Sequence, residues 1–313
     1  MKKYLPEGYL INTEEMKARI SSLKSLNEAC ANREYIEARA IMCDAKHNLH
    51  FRLGEITGFM PREECAEGVK EGKVRDIAII SRVNKPVGFY IKEIKTDTFG
   101  EKTAILSRSE VQKECRAEYI NSLTAGDIID VRVSHIEPFG AFCDVAAGIT
   151  ALLPIDGISV SRIPDPRARF CVGDDIKAVV KSIDEEGRIT LTHKELLGTW
   201  EENVKNFKAG ETVTGIIRSV EPYGIFVELA ANLAGLAEYV NNASAGQSAS
   251  VFIKSVNPEK MKIKLIIVDT DERYECVKTE EAYFINEGHI DFWQYSPECS
   301  QKKIFTDFSA PAI

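Results

Sequence analysis

One stretch of this chain occurs twice. Residues 126–194 run GDIIDVRVSHIEPFGAFCDV to IDEEGRITLTHK, and residues 210–265 run GETVTGIIRSVEPYGIFVEL to VNPEKMKIKL. Gly126 matches Gly210, Phe139 matches Tyr223 and Phe142 matches Phe226, each at a shift of 84 residues. Gly173 and Asp184 match Gly246 and Asn257 at a shift of 73, so one loop of the second occurrence is 11 residues shorter. A repeat of this length with its turns in register means copies of one small supersecondary unit, each with its own core.

Each copy alternates in the manner of short strands. Ile129, Val131 and Val133 alternate, then Ala141, Cys143 and Val145; Val180 and Ile183 follow, then Ile189 and Leu191. Five short antiparallel strands remove their edges by closing on themselves, and about 70 residues suits the OB-type barrel. Residues 35–108 carry a diverged earlier copy, in which ITGFMP (56–61) echoes ITALLP (149–154) and AILSRSE (104–110) echoes ITLTHKE (189–195). The expected fold is therefore mainly β, with three tandem five-stranded OB barrels, the first degenerate. The expected organisation is an N-terminal helical lead (1–34), a degenerate barrel with its connector (35–124), a barrel with its connector (125–207), a barrel with the shortened loop (208–269), and an acidic, aromatic appendage (270–313).

The helices are read from apolar periodicity. Asn12 followed by Glu15 reads as a capping box, and Met16, Ile20, Leu23 and Cys30 recur at helical spacing, which predicts one helix over about 13–32 packed on the first barrel. Val111, Cys115, Tyr119 and Leu123 predict a connector helix, and Leu196, Leu197, Trp200, Val204 and Phe207 predict another, each with one apolar stripe. The aromatics Tyr283, Phe284, Phe292, Trp293, Tyr295, Phe305 and Phe308 argue that the last segment folds.

Parity along the strands nominates a surface. Phe139 and Phe142 are three apart, and Gly140 between them permits a bend or bulge that leaves Phe139 at the turn and Phe142 outward on the second strand. The same parity points Ile189 and Leu191 inward and Arg188, Thr190 and Thr192 outward; in the third copy it points Lys262 and Lys264 outward. Outward aromatics beside a basic strand make a platform for stacked bases with phosphate contacts close by. A lone aromatic pair would read as core, but this pair recurs as Tyr223 and Phe226, and the inward positions are already filled by small apolar residues. Asp184 and Asn257, at the turn into the last strand, can either accept hydrogen bonds from bases or riboses or simply shape the turn. In the first copy, Leu49, Phe51 and Leu53 face the core and His50 falls where the next copy has Phe142, so the aromatic pair is gone.

Composition and motifs narrow the function. The net charge is −8, with 21 basic and 19 acidic residues in 1–124, 9 and 14 in 125–207, 6 and 6 in 208–269, and 4 and 9 in 270–313. An acidic chain does not coat nucleic acid by bulk charge, so a binding site must be a local face. The eight cysteines (30, 43, 65, 115, 143, 171, 276 and 299) form no CxxC pair and read as reduced, mostly buried thiols in a cytoplasmic protein. The start, MKKYLPEGYL, lacks a signal-peptide core, and no apolar run is long enough for a membrane span. Cys43, His47, His50 and Cys65 do not have zinc-ligand spacing. No phosphate-binding loop, HExxH, GxSxG or GxGxxG motif is present, and His135 and His193 have no partner implied by sequence, so neither an enzyme nor a cofactor is expected.

Residues 126–194 resemble the S1 domain, the RNA-binding repeat of the bacterial ribosomal protein S1 family. The resemblance is carried by FGAF (Phe139–Phe142), Gly173 and IDEEGRITLTHK with Asp184 and Arg188; residues 210–265 follow through YGIF, GLAEY and KIKL. The joining run LTHKELLGTWEENV looks like an inter-repeat segment of that family. The resemblance implies a short form that binds single-stranded RNA, messenger RNA at or near the small ribosomal subunit, through Phe139, Phe142, Asp184 and Arg188, and then Tyr223, Phe226, Asn257 and Lys262, with Lys264 beside them. It also implies that degenerate early repeats dock on the ribosome. The chain departs from the family where Pro154 and Glu238 replace the usual histidine after strand three and where Asn257 replaces the aspartate. An RNA-binding regulator acting off the ribosome, and a protein-interaction module with vestigial RNA faces, are the competing expectations.

Overall fold

The computed structural model describes residues 4–241, 243–271 and 283–309. The chain separates into two compact units, Met1–Leu123 with Asp144–Thr150, and Thr124–Cys143 with Ala151–Ile313. Among the described residues no helix is long and apolar enough to cross a membrane.

The first unit starts with two short helices, α1 (Glu14–Ile20) and α2 (Leu23–Ala31), where the periodicity predicts one. The caps explain the break. Thr13, not Asn12, caps α1 by accepting from the Met16 amide, and Ser22 opens α2 by accepting from the Ser25 amide. Each hydroxyl satisfies an orphan helix-terminal N–H, and the apolar stripe carries on across the corner. Met16, Leu26 and Ala29 are buried in one core with Ile36, Leu49, Phe51, Phe89 and Leu106 of the first barrel.

That barrel closes through β1 (Ile36–Cys43), β2 (Leu49–Leu53), β3 (Ile56–Met60), β4 (Pro86–Thr96) and β5 (Lys102–Ser107), in the order β1-β2-β3-β5-β4. Between β3 and β4 lies the short helix α3 (Ile77–Ile80), and after β5 comes the connector α4 (Arg108–Glu118). Leu49, Phe51 and Leu53 are fully buried, while Arg52 is exposed. The thiols and histidines weighed for zinc have other work. Cys65 donates to the Met60 and Pro61 carbonyls, His47 pairs with Asp76 at 3.2 Å, and His50 meets Asp44 at 3.2 Å.

The lead residues are more than a lead. Glu37 accepts from the amides of Gly8, Leu10 and Ile11 at 2.9–3.1 Å. Glu7 is buried in a forked ion pair with Arg108, at 2.6 and 3.0 Å, and Arg82 lies 3.3 Å away. The Glu7 amide donates to Asp144 at 2.8 Å, and Asp144 also receives the Gly148 amide. Burial works to raise the Glu7 pKa, but Arg108 and Arg82 outweigh it and hold the carboxyl below its ordinary range. Asp144 goes the other way: burial, reinforced by the Glu7 charge, pushes its pKa up to about 7.

That shift has a sign. Unfolded, an aspartate loses its proton near pH ~3.9, whereas folded Asp144 keeps it to about pH 7. Between those values the folded state binds more protons, so stability falls as pH rises. Glu7, whose folded pKa is lowered, adds an opposite slope only near and below its ordinary pKa of ~4.3 and is ionised in both states at the higher pH values. Urea midpoints measured at pH 5, 6 and 7.5 are expected to decline, by up to about 1.4 kcal/mol per pH unit from this one group. Asp144→Asn is expected to flatten the decline; an unchanged profile in that variant would remove Asp144 as its source.

The second unit holds the third barrel and, apart from Asp144–Thr150, the second. One consists of β6 (Ile128–Glu137), β7 (Gly140–Ala146), β8 (Ile149–Pro154), β9 (Asp175–Ile183) and β10 (Ile189–Thr192), with a short helix α5 (Ile155–Ile158) after β8. The other, following α6 (Trp200–Val204), consists of β11 (Thr212–Glu221), β12 (Gly224–Ala230), β13 (Leu233–Ala237), β14 (Ser248–Asn257) and β15 (Lys262–Asp271). Both are closed barrels with the strand order of the first. The second connector is not one helix. A 3-10 turn at Lys194–Leu197 ends at Gly198, whose φ of +80° breaks the run, and Thr199 with Glu202 forms a capping box that starts α6 afresh. Its apolar residues still share a side, and Leu196 and Trp200 are buried in the third barrel's core.

Trp293, Tyr295 and Phe308 of the C-terminal segment join the same core, and β16 (Phe292–Gln294) pairs with β17 (Phe305–Asp307). The Trp200 amide donates to the Tyr295 carbonyl at 3.0 Å and the Phe284 amide to the Leu196 carbonyl at 2.9 Å, so the segment is tied to the connector by backbone. Two cysteines differ from expectation. Cys171 and Cys299 are exposed because they sit on loops outside the barrels. Cys276 lies outside the described residues.

Candidate nucleic-acid interface

The first two strands of each later barrel are joined by a two-residue turn, Pro138–Phe139 or Pro222–Tyr223. The turn lifts its aromatic into solvent: Phe139 is 55% exposed and Tyr223 is 70% exposed. Phe142 and Phe226 stand half-buried on the outer face, while Ala141, Cys143, Ile225 and Val227 fill the inside. Within each pair the rings meet edge to face, with centroids 6.0 Å apart for Phe139–Phe142 and 6.2 Å for Tyr223–Phe226.

The glycine between the aromatics starts the second strand at the bend and is also required there by close packing. A Cβ on Gly140 would lie 2.5 Å from the Leu153 carbonyl oxygen, and one on Gly224 would lie 2.6 Å from that of Ala237. These are close-approach positions where the second strand is pressed on the third. In the third barrel a bulge sits on the first strand as well. The β11–β12 register slips between Ile217 and Ser219, which makes Arg218 the extra residue and sets Ser219 opposite Phe226. The same slip occurs in β1 between Ala40 and Met42, setting Met42 opposite His50.

One row of the sheet can thus be followed across each face. In the third barrel it runs Ser219, Phe226, Leu236, Lys264. In the first it runs Met42, His50, Phe59, Ile105, so an isoleucine stands where the third barrel has its lysine. His50 packs on Phe59 with ring centroids 5.3 Å apart, so an aromatic survives on β3 although the β2 pair is absent. In the second barrel the position 84 residues before Ser219 is His135. Its ring stacks on Phe142 at 6.1 Å and 25°, and its Nε2 lies 2.6 Å from Glu137. His135 therefore widens the platform to three rings. Strict alternation hides it, because Ser134 and His135 both stand outside, between the buried Val133 and Ile136. His193, by contrast, is fully buried, with Nδ1 beside the Ile158 carbonyl and Nε2 3.3 Å from the Tyr283 hydroxyl.

The turn residues are occupied by their own turns. Asp184 accepts from the Glu186 and Arg188 amides at 3.0 and 2.8 Å and from Arg188 Nε at 2.6 Å. The Arg188 backbone bond, followed by its side chain, holds the Asp184 pKa below the ordinary range. Asn257 accepts from the Lys260 amide at 2.9 Å. Of the two roles open from sequence, turn shaping is the one these contacts display. Arg188 itself remains 74% exposed, braced between Asp184 and Glu186. Lys262 and Lys264 are exposed, whereas Thr192, outward by parity, is buried because its hydroxyl bonds Glu195 and the Gly157 carbonyl. Among the described residues no group of three or more His, Cys, Asp or Glu is placed to hold a metal ion.

Residues 122–194, the second barrel, match the family model for the S1 RNA binding domain. The small ribosomal subunit protein bS1 of Staphylococcus aureus is 27% identical over 301 residues, covering 90% of this chain and 74% of that protein. The bS1 of Staphylococcus haemolyticus is 25% identical, covering 88% and 71%. Among solved structures, a multidomain protein with nucleic acid binding domains from Streptococcus pneumoniae covers 76% of this chain and 74% of its own at 13% identity, with a TM-score of 0.26, too low to support an inference.

Proposed function

Because this chain is an S1 RNA-binding domain protein related to the small ribosomal subunit protein bS1, we propose that it binds single-stranded messenger RNA at or near the small ribosomal subunit. It does so in the cytoplasm and as a binding protein, not a catalyst. Unpaired bases stack on Phe139 and Phe142 and on Tyr223 and Phe226, while Arg188, Lys262 and Lys264 meet the phosphates and the Asp184 and Asn257 turns hold the cationic strand edge in place. The first barrel, whose row ends in Ile105, takes no part in stacking and serves for docking. Holding the messenger unpaired is the contribution to translation.

The observation that carries this reading is that both aromatic pairs are open. A protein-interaction module with vestigial faces would have them covered, yet Phe139 and Tyr223 stay 55% and 70% exposed. The test is anisotropy titration of a labelled unstructured RNA and of a duplex of the same length, each at several salt concentrations. The single strand is expected to bind at least tenfold tighter. Three outward cations at about 0.7 per phosphate predict a log–log salt slope of about 2. Equal binding of the duplex would overturn the stacking mechanism. Co-sedimentation with small subunits then tests the site of action, and its absence would place the same RNA binding off the ribosome.

A further inference from the structure

The third barrel's aromatic face is not walled by the third barrel alone. A cleft of about 420 Å³ opens over Tyr223 and Phe226, and its opposite wall is Arg162, Ile163 and Pro164, from the loop between β8 and β9 of the second barrel. This is the loop that is 11 residues longer than its counterpart in the third copy. We propose that the loop carrying Arg162 and Pro164 completes the third barrel's nucleotide-binding site, so that one nucleotide of the strand is held between Tyr223–Phe226 and a wall supplied by the neighbouring barrel, with Arg162 on its phosphate. This inference rests on the stacking reading above and extends it from an open platform to a two-barrel pocket.

The loop is built to be where it is. The Ser159 hydroxyl donates to the Ala231 carbonyl, and the Val160 amide donates to Asn232 Oδ1 at 2.9 Å. Asn232 is fully buried, and its amide nitrogen donates to the Lys194 and Gly198 carbonyls at 2.8 and 3.1 Å. At the loop's far end Arg169 pairs with Glu228 at 2.7 Å and donates to the Ala231 carbonyl at 3.0 Å. Ile163 is buried and Pro164 has a fixed φ, so the segment between these anchors has little freedom. The loop is thus fastened to β12 and to the turn into β13, beside the aromatic pair.

The chemistry of the cleft suits a nucleotide. Its lining combines the aromatics Tyr223 and Phe226, the apolar pair Ile163 and Pro164, the cations Arg162 and Arg218 and one carboxylate, Glu221, and its volume is within the ~300–1,000 Å³ range of small-ligand pockets. The Arg218 guanidinium is engaged by Glu228 at 2.7 Å. Glu228 is shared with Arg169, so Arg162 is the lining cation left outside these ion pairs. Arg162 is exposed and has no ion-pair partner among the described residues. An arginine free of ion pairs in the same cleft as two aromatic rings is available for the bidentate phosphate contact that a guanidinium favours.

The experiment uses the full chain carrying Phe142→Ala, so that the third barrel carries the binding, with a labelled oligouridylate read by anisotropy at several salt concentrations. Adding Arg162→Ala is expected to weaken binding about tenfold and to lower the salt slope by about 0.7, with an unchanged circular dichroism spectrum. Combined with Phe226→Ala, the Arg162→Ala effect is expected to shrink to about twofold or less, because both groups hold one nucleotide. If Phe226→Ala weakens binding and Arg162→Ala does not, the stacking reading stands and the two-barrel pocket is overturned. The pocket is likewise overturned if the Arg162→Ala loss is equal with and without Phe226, or if the Phe142→Ala parent no longer binds while the wild type does. If Phe226→Ala leaves the parent's binding unchanged, the stacking reading itself fails and the pocket with it.

Discussion

Replacing Phe142 and Phe226 together by alanine is expected to abolish most RNA binding while leaving the barrels folded. Each ring stands half-buried on the outer face, opposite an interior already filled by Ala141 and Cys143 or by Ile225 and Val227. Truncation therefore opens no core cavity, and the stability change should stay well below the ~3–5 kcal/mol of a buried phenylalanine. The binding loss should be much larger in proportion. Stacking is worth roughly 1–3 kcal/mol per base, so two lost platforms weaken binding by at least tenfold, and by more where one strand engages both. Anisotropy titration with an unstructured RNA measures it, and a chemical melt of the same samples guards against misfolding. His135→Ala offers a graded comparison, since its ring lies on Phe142 without forming the edge-to-face pair. A folded double variant that binds within twofold of wild type would show that RNA is held elsewhere.

The second large effect is on stability and lies in the first unit. Arg108→Ala should destabilise that unit by about 3–5 kcal/mol, because it leaves a carboxylate buried without its partner. Arg108 is 3% exposed and forks onto Glu7, which is itself 5% exposed, and it also donates to the Cys65 carbonyl at 3.2 Å. Arg82 still reaches Glu7 at 3.3 Å and the Gly88 amide donates to the same carboxylate at 3.1 Å, but Arg108 makes the two shorter bonds, so these contacts compensate only in part. Adding Glu7→Gln to Arg108→Ala should restore part of the loss, since the damage is mainly the stranded charge and not the missing contact. Urea denaturation followed by circular dichroism measures both. A loss below about 1 kcal/mol for Arg108→Ala would mean that water reaches Glu7 and that the pair is not the keystone its burial indicates.

Much of the second and third barrels could be read from the residues because strand parity is a local property. Ile129, Val131 and Val133 go in because successive side chains alternate, whatever the rest of the chain does. The same rule placed Phe142, Lys262 and Lys264 outside. It failed wherever a local device interrupted the period. The break in alternation that leaves His135 outward, the Ser22 cap that divides the first helix and the φ of Gly198 that divides the connector are each one-residue events inside an unbroken apolar pattern. Thr192 failed differently: its outward face is covered by the connector turn that follows it.

The sequence alone determined that this chain repeats a small barrel, which residues line its interior, and that two copies present an aromatic pair to solvent. Those follow from alternation and from an 84-residue shift, and both survive without knowing where any distant segment lies. Only the tertiary structure decided what meets across long separations. Glu7 reaches Asp144 137 residues away, and Val160 fastens to Asn232 72 residues away, in the loop that brings Arg162 into one cleft with Tyr223. No periodicity encodes such meetings. They arise because buried polar groups must find partners and closed barrels leave few places for them to do so.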